Sequence, residues 1–283
     1  MCRPAMSEGA QGRLLVCATP IGNLGDVTLR VLDALRTADV IAAEDTRVTR
    51  KMLSRYDIHT PLEAYHEHNR MAKTPELVDR MERGERIALV SDAGMPGISD
   101  PGEDLVDGCL EAGVPVEVLP GASAILTALV ASGLPAHAFY FGGFLPRKAG
   151  ERSRALERLI DLDATLVFYE SPGRAAATLA SLAEAFPGRA AALARELTKL
   201  HEEVARAEIG ELAGLFAERQ LKGEVVILVG PPRAPAQLAI DEEAVADRLR
   251  ELESTGLSRR DAVRAAASEF GLPRNDVYRI SLG

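Results

Sequence analysis

The stretch RIALVSDAGMPGISDPG, residues 86–102, sets a short apolar run directly before a segment that suits neither helix nor strand. Residues 91–102 hold three glycines, two prolines and two aspartates. An apolar run that ends in glycine and proline is typical of a buried strand followed by a loop. Because ligands of open α/β sheets bind beyond the carboxyl ends of the strands, this loop is the first candidate for a binding site.

Strand-like runs and amphipathic stretches alternate on both sides of this segment from about Arg13. The sequence reads RLLVCAT, VTLRVLDALRTA, DVIAAE and TRVTRKMLSRY before it, and DLVDGCLEAG, VPVEVLPG and SAILTALVAS after it. This alternation predicts an α/β domain with a largely parallel sheet. A second series of the same kind follows a cluster of glycines and prolines near residues 133–138.

The chain of 283 residues is long enough for two domains with their own cores. We predict two α/β domains, each a mixed or mostly parallel sheet flanked by helices, and a small helical C-terminal region. The predicted parts are a flexible N-terminal extension at residues 1–12, domains at 13–135 and 136–232, and a linker with the helical region at 233–283. The last region concentrates four arginines: Arg259, Arg260, Arg264 and Arg274.

Composition and charge narrow the class of protein. Hydrophobic residues make up 47% of the chain and charged residues 27%, as in globular proteins. The net charge of −9 argues against a protein that coats nucleic acid non-specifically, although a local basic patch is compatible with it. We expect neither a secretory leader nor a membrane span. The three cysteines, Cys2, Cys17 and Cys109, lack paired spacing, which favours the reducing cytoplasm.

Three further loops are unusual. In TPIGNLGD (19–26) two glycines lie three residues apart after a strand, which favours either close approach of the backbone to a ligand or a plain tight turn. In LPGAS (119–123) Ser123 is placed to cap the following helix. In FYESPGR (168–174) Glu170 either bonds ribose hydroxyls or caps the next helix.

Charged and histidine-bearing loops leave two interpretations open. YHEHN (65–69) sets two histidines two residues apart, but a metal site needs a third ligand, and exposed or site-rim histidines are the alternative. Basic clusters occur in EDTRVTRK (44–51) and GFLPRK (143–148). They are solvated surface charges or contacts for a polyanionic substrate.

Taken together, these blocks resemble one family. TPIGNLGDVTLRVLDALRTADVIAAEDTR, HEHN, LVSDAG-P-ISDPG, LPGAS, GFLPRK, FYESPGR, LARELTKLHE and KGEVVILVG occur in the order of the ribosomal small-subunit RNA 2′-O-methyltransferase I family. That family belongs to the tetrapyrrole-methylase-like superfamily, and the resemblance spans about residues 13 to 230. It implies a two-domain tetrapyrrole-methylase-like fold and a homodimer with S-adenosyl-L-methionine in the cleft between domains. The implied reaction is 2′-O-methylation of a cytidine in the decoding region of 16S rRNA, within the small ribosomal subunit.

The resemblance also implies a set of cofactor-binding residues: Pro20, Gly22, Asp92, Ala93, Gly94, Pro96, Pro120, Gly121, Ser123, Phe168, Tyr169, Glu170, Ser171, Ala194, Arg195, Glu196, Lys222 and Gly223. Met95 departs from the family pattern, in which many members have threonine. A thioether cannot donate the hydrogen bond that a hydroxyl would, so the resemblance implies backbone contacts with the cofactor at that position and no side-chain hydrogen bond.

Methyl transfer from a sulfonium to a hydroxyl needs alignment of the reacting atoms and help with the hydroxyl proton, and no metal. Candidate catalytic residues are Glu196, Lys199 and Asp45, with His66 or His68 as further bases. Lys199 either stabilises an alkoxide, acts as a base, or forms an ion pair with Glu196 or Glu202. The predicted RNA-binding residues are Arg47, Arg50, Lys51, His66, His68, Arg147, Lys148, Arg259 and Arg260.

Two other functions stay open. The same fold and cofactor serve a tetrapyrrole or diphthine methyltransferase, and a non-catalytic ribosome assembly factor would bind RNA without the reaction. The basic loop clusters and the arginines of the C-terminal region favour RNA as the substrate.

Overall fold

The computed structural model describes residues 12–232, 242–270, 272 and 274–281. The chain forms two compact units, which divide between residues 232 and 233. Residues 1–11 of the predicted N-terminal extension and residues 233–241 of the predicted linker lie outside the described residues.

The first sheet has five parallel strands in the order β3-β2-β4-β1-β5. They are β1 (Arg13–Cys17), β2 (Val40–Ala43), β3 (Leu62–Ala64), β4 (Arg86–Val90) and β5 (Val116–Leu119). The helices that follow them are α1 (Leu29–Thr37), α2 (Thr46–Arg55), α3 (Arg70–Glu82), α4 (Gly102–Ala112) and α5 (Ala124–Ser132). The predicted parallel α/β sheet is confirmed.

Helices cover both faces of this sheet. Along β1, Leu15 and Cys17 join one apolar cluster with α1 and α2, whereas Leu14 and Val16 join another with α3 and α4. The side chains of a strand alternate between the two faces, so an all-apolar strand such as RLLVC fits only a sheet covered on both sides.

The second sheet also has five strands, in the order β6-β7-β10-β8-β9. They are β6 (Phe139–Phe144), β7 (Thr165–Glu170), β8 (Ala190–Arg195), β9 (Glu203–Glu208) and β10 (Val225–Val229), with helices α6 (Ala149–Glu157), α7 (Ala175–Ala185) and α8 (Ile209–Phe216). The pair β6 and β7 is parallel and the other pairs are antiparallel. The connection from β8 to β9 is too short for a parallel crossover, so these strands must run antiparallel.

Helix α5 joins the two sheets. It follows β5 of the first sheet, yet Ile125, Ala128 and Leu129 are buried against apolar residues of β7, β8 and β10. The other face of the second sheet carries the cluster with α6, α7 and α8. The opposite face of this apolar helix, with Leu126 and Val130, is exposed.

The C-terminal unit consists, in its described part, of α9 (Glu242–Ser254), α10 (Arg259–Phe270) and α11 (Arg274–Ile280). Its core contains Val245, Leu249, Val263, Ala266 and Val277. The prediction of a small helical C-terminal region is confirmed. Within the described residues, none of the helices is both long and apolar enough to cross a membrane.

Candidate active site

Strands β1 and β4 define a crevice at the carboxyl edge of the first sheet. They are neighbours, but α1 after β1 packs on one face of the sheet and α4 after β4 packs on the other. The two connecting loops therefore lead to helices on opposite faces of the sheet, which is where α/β proteins bind ligands.

A cavity of about 330 Å³ lies at this crevice, which is the size of a small-molecule site. Loops of the first sheet form one side and strands of the second sheet form the other. The lining residues are Ile21, Glu44, Ser91, Asp92, Ala93, Gly94, Met95, Ile98, Ser99, Asp100, Ser123, Ala124, Ile125, Phe144, Tyr169, Glu170, Glu224, Val225 and Val226.

The loop after β4 has a conformation that its glycines make possible. Gly94 and Gly97 have φ values of +83° and +86°, in the left-handed region that costs a residue with a Cβ atom. Gly94 exchanges two backbone hydrogen bonds with Thr19, of 2.8 and 3.1 Å, so the loops after β1 and β4 are joined. Asp100 Oδ1 accepts from the amides of Gly97 and Gly102, both at 2.8 Å, and so fixes the entry into α4.

Carboxylates crowd the first-sheet side of the cavity. Asp92 Oδ1 accepts from the amide of Asp45 at 3.0 Å, and the amide of Asp92 donates to Glu44 Oε2 at 3.3 Å. Burial, together with the charges of the neighbouring aspartates, raises the pKa of Glu44. The pKa of Asp92 is raised by burial and by the charges of Asp45 and Asp100. A bound cation would lower the pKa of both carboxyls, because a nearby positive charge favours their ionised form.

Asp45 has a different environment from its neighbour Glu44. Its carboxylate accepts from the amide of Arg47 at 2.8 Å and caps α2, and it lies 2.6 Å from Arg47 Nη2. These bonds to Arg47 lower the pKa of Asp45 to about 2. Since Glu44, and not Asp45, lines the cavity, the better-placed proton acceptor of the pair is Glu44.

A second polar group lies beside the cavity in the turn after β8. Lys199 Nζ is 3.0 Å from Glu196 Oε1, which is the ion-pair alternative for this lysine. A Cβ at Gly22 would lie 2.6 Å from Lys199 Cγ, and one at Gly223 would lie 1.7 Å from Glu196 Oε1. Two glycines far apart in the sequence therefore make room for this turn.

The family described as Tetrapyrrole (Corrin/Porphyrin) Methylases matches residues 13–213. The Ribosomal RNA small subunit methyltransferase I of Synechocystis sp. is 45% identical over 273 residues, which are 96% of this chain and 98% of that protein. The chain belongs to this methyltransferase family. The Bacillus subtilis protein of the same name is 41% identical over 98% of both chains.

The fold prediction is confirmed by a solved member of the tetrapyrrole methylases. Uroporphyrin-III C-methyl transferase from Thermus thermophilus, solved with S-adenyl homocysteine, has a TM-score of 0.56 and 21% identity, and the match covers 77% of this chain and 97% of that one. The predictions of the family and of a methyltransferase are confirmed by the sequence relatives.

Six of the predicted cofactor-binding residues line the cavity of this methyltransferase: Asp92, Ala93, Gly94, Ser123, Tyr169 and Glu170. Ser123 caps α5 by accepting from the amide of Leu126 at 3.4 Å, as predicted. Burial and the charges of Glu224 and Asp100 raise the pKa of Tyr169 to about 12, so its phenol keeps its proton at neutral pH.

The side chain of Glu170 is fully buried and bonded within the protein. Its Oε1 accepts from the amide of Ser171 at 2.7 Å, and its Oε2 accepts from Thr178 Oγ1 at 2.6 Å and lies 3.3 Å from Arg174. Glu170 does not cap α7, which has no side-chain cap hydrogen bond, but its contacts with Arg174 and Thr178 anchor the helix and disfavour a contact with ribose.

The other predicted cofactor-binding residues lie outside the cavity lining: Pro20, Gly22, Pro96, Pro120, Gly121, Phe168, Ser171, Ala194, Arg195, Glu196, Lys222 and Gly223. Phe168 and Ala194 are core residues, and Arg195 donates to Glu203 at 2.7 Å. Arg219 and Arg195 together lower the pKa of Glu203 to about 2, so this arginine is held in a structural ion pair.

Several lining residues were not predicted from the sequence, notably Glu44, Ser99, Phe144 and Glu224. Glu44 directly precedes the predicted Asp45, and Glu224 directly follows the predicted Gly223. Both glutamates lie within the motifs EDTR and KGEVVILVG, so these motifs pointed to the right segments. Met95 lines the cavity and also packs against the core formed with α3 and α4, which explains how an apolar side chain is accommodated there.

The predicted RNA-binding residues are exposed, apart from a half-buried His66: Arg47, Arg50, Lys51, His68, Arg147, Lys148, Arg259 and Arg260. The rings of His66 and His68 are 5.9 Å apart, edge to face. The described residues contain no group of three or more His, Cys, Asp or Glu arranged to hold a metal ion.

Proposed function

We propose that this chain transfers a methyl group from S-adenosylmethionine to the 2′-hydroxyl of a cytidine in the decoding region of 16S rRNA. Family membership supports small-subunit rRNA as the acceptor. The observation that carries the proposal is the carboxylate-lined cavity at the β1/β4 crevice. We propose that the reaction takes place on the assembled small subunit in the cytoplasm and that the protein acts as a homodimer.

The residues of the cavity fit the proposed cofactor. Glu44, Asp92, Asp100 and Glu224 line the cavity and suit a cationic ligand. Gly94 brings backbone into the lining, and a Cβ at Gly121 in the neighbouring loop would lie 2.8 Å from the Cβ of Ala18. When bound, S-adenosylmethionine supplies an electrophilic methyl carbon without a metal.

The protein must then position the ribose hydroxyl and accept its proton. Glu44 and Asp92 are the proposed acceptors, since the raised pKa of each carboxyl makes it a better base than Asp45. Glu196 and Lys199 remain proposed contributors beside the cavity. The exposed basic residues of α2, of the loop after β6 and of α10 are the proposed contacts for RNA phosphates.

The test combines binding and product mapping. Calorimetry should detect S-adenosylmethionine binding, and labelled cofactor with small subunits lacking the modification should place label on a cytidine ribose of the decoding region. Glu44→Lys brings a cation into the cavity and should abolish incorporation, whereas Glu111→Lys on the exposed end of α4 should not. Label on a base would overturn the acceptor assignment, and absence of cofactor binding would favour the non-catalytic assembly factor.

Tetrapyrrole intermediates and diphthamide precursors belong in the same assay, because the fold is shared with a uroporphyrin-III methyltransferase and a diphthine synthase. Methylation of either, without methylation of subunits, would replace the proposed function.

A further inference from the structure

Strand β6 is an edge strand with an unusual aromatic content. Of the seven phenylalanines and five tyrosines in the chain, four lie within Phe139–Phe144. Phe139, Tyr140 and Phe144 are each more than 40% exposed. Aromatic surface costs free energy when it is left in water, so its concentration on one strand beside the cavity calls for a functional reason.

A bulge directs Phe144 toward the cavity. Phe141 pairs with Val167, but the register then shifts and Phe144, instead of Gly143, pairs with Tyr169. Gly143 has a φ of +57°, and a Cβ at Gly142 would lie 2.6 Å from the ring of Phe168. Bulges of this kind re-aim side chains next to active sites.

The ring of Phe144 is supported on one side and open on the other. Phe141 and Phe144 flank Tyr169, with ring centroids 4.9 and 5.7 Å from that of Tyr169. Phe144 lines the cavity and is 55% exposed, so it lies at the open side. A fixed aromatic ring with an accessible surface is the arrangement on which RNA-binding proteins stack unpaired bases.

Carboxylates line both sides of the cavity, with Glu170 and Glu224 on the second-sheet side, whereas basic residues follow Phe144 in the chain. The carboxylates Glu44, Asp92 and Asp100 line the first-sheet side and suit a cation. Exposed Arg147 and Lys148 follow Phe144 in the chain after the buried Leu145 and the half-buried Pro146, and Lys148 pairs with Glu151 at 3.2 Å. Positive charge beside an open ring suits a nucleotide, with its phosphate and its base.

We propose that Phe144 is a substrate-positioning residue that stacks on the base of the acceptor nucleotide and so holds its ribose at the cavity. The inference rests on the proposed RNA methylation and adds the residue that selects an unstacked nucleotide. An acceptor nucleotide in a structured subunit must leave its stack to enter the cavity, and stacking on Phe144 offsets part of that cost.

The test distinguishes an effect on binding of the acceptor RNA from an effect on binding of the cofactor. Phe144→Leu keeps an apolar side chain but removes the ring, and it should raise the KM for small subunits about tenfold or more. The Kd for S-adenosylmethionine should stay within about twofold. Phe144→Trp should restore the KM, because indole also stacks. Phe139→Ala, an exposed aromatic on the same strand outside the cavity lining, is the matched control and should behave as the native chain.

An unchanged KM in Phe144→Leu would overturn the inference while leaving the proposed function intact. A loss of cofactor affinity equal to the loss of activity would also overturn it, by assigning the ring to the cofactor. A native chain that binds S-adenosylmethionine but does not methylate subunits would instead refute the proposed function, and the inference with it.

Discussion

Glu44 and Asp92 are site residues whose charges lower the stability of the folded protein. Glu44 is half-buried and Asp92 is more exposed, and partial desolvation together with nearby negative charges raises the pKa of both carboxyls. Groups arranged in this way destabilise the protein when they are ionised and ligand is absent. The same cluster of negative charges favours the binding of a cation. Removal of one charge should therefore raise the stability of the protein and lower its affinity for the cofactor.

Glu44→Gln should therefore raise Tm at pH 7 by about 1–3 °C and weaken S-adenosylmethionine binding about tenfold. A carboxyl whose pKa is raised by folding contributes stability below its ordinary pKa of 4.5, and loses it as pH rises through the folded value. The gain of the variant in Tm should accordingly shrink as pH falls toward 4.5. Thermal melts across pH check this, and a gain that is independent of pH would contradict it. Glu111→Gln is the exposed control.

Gly22 tests the packing of the turn that holds Glu196 and Lys199. Gly22→Ala would place a Cβ 2.6 Å from Lys199 Cγ and 2.8 Å from Leu197 O, so the turn must move. We expect a loss of about 1–3 kcal/mol in the free energy of unfolding and reduced methyl transfer. Gly173→Ala, where an added Cβ meets nothing within 4 Å, should leave both unchanged. Equal behaviour of the two variants in denaturant melts would rule out this packing role.

At the scale of elements, the link between β7 and α7 depends on one buried carboxylate. Glu170 ends the strand, and its partners Ser171, Arg174 and Thr178 lie in the connection and in the helix. A buried charge of this kind stabilises only while all of its partners are present.

Glu170→Gln should lower the free energy of unfolding by about 1–3 kcal/mol, because the amide cannot replace the ionic contact with Arg174 and brings a donor where an acceptor is needed. Cofactor affinity, measured by calorimetry at a temperature where the variant is folded, should stay within about twofold. Glu184→Gln, on the same helix, is the control. A stable variant that binds cofactor poorly would support the ribose alternative.

At the scale of the whole molecule, an acidic chain is proposed to bind a polyanion. With a net charge of −9, productive contact must come from local basic surfaces and not from overall attraction. The exposed Arg259 and Arg260 in the first turn of α10 form one such surface within the C-terminal unit.

Replacement of both Arg259 and Arg260 by glutamine should weaken binding to small subunits and reduce the slope of log affinity against log salt by about 1.5, as expected for two lost phosphate contacts. Cofactor affinity should not change. Arg250→Gln, in the same unit but paired with Asp247, is the control. An unchanged salt slope would remove these arginines from the proposed RNA surface.

The sequence by itself determined the alternation of strands and helices except β3 and α3, the parallel first sheet, the loops that form the cavity and the family, because periodicity, glycine and proline positions and motif order are local properties. Only the tertiary structure decided which of two adjacent residues in a motif lines the cavity. Glu44 lines the cavity while Asp45 caps a helix, Glu170 anchors α7, α5 packs on the second sheet, and a bulge brings Phe144 to the cavity. Each depends on burial and charge contributed by residues distant in the chain, which a linear pattern does not contain.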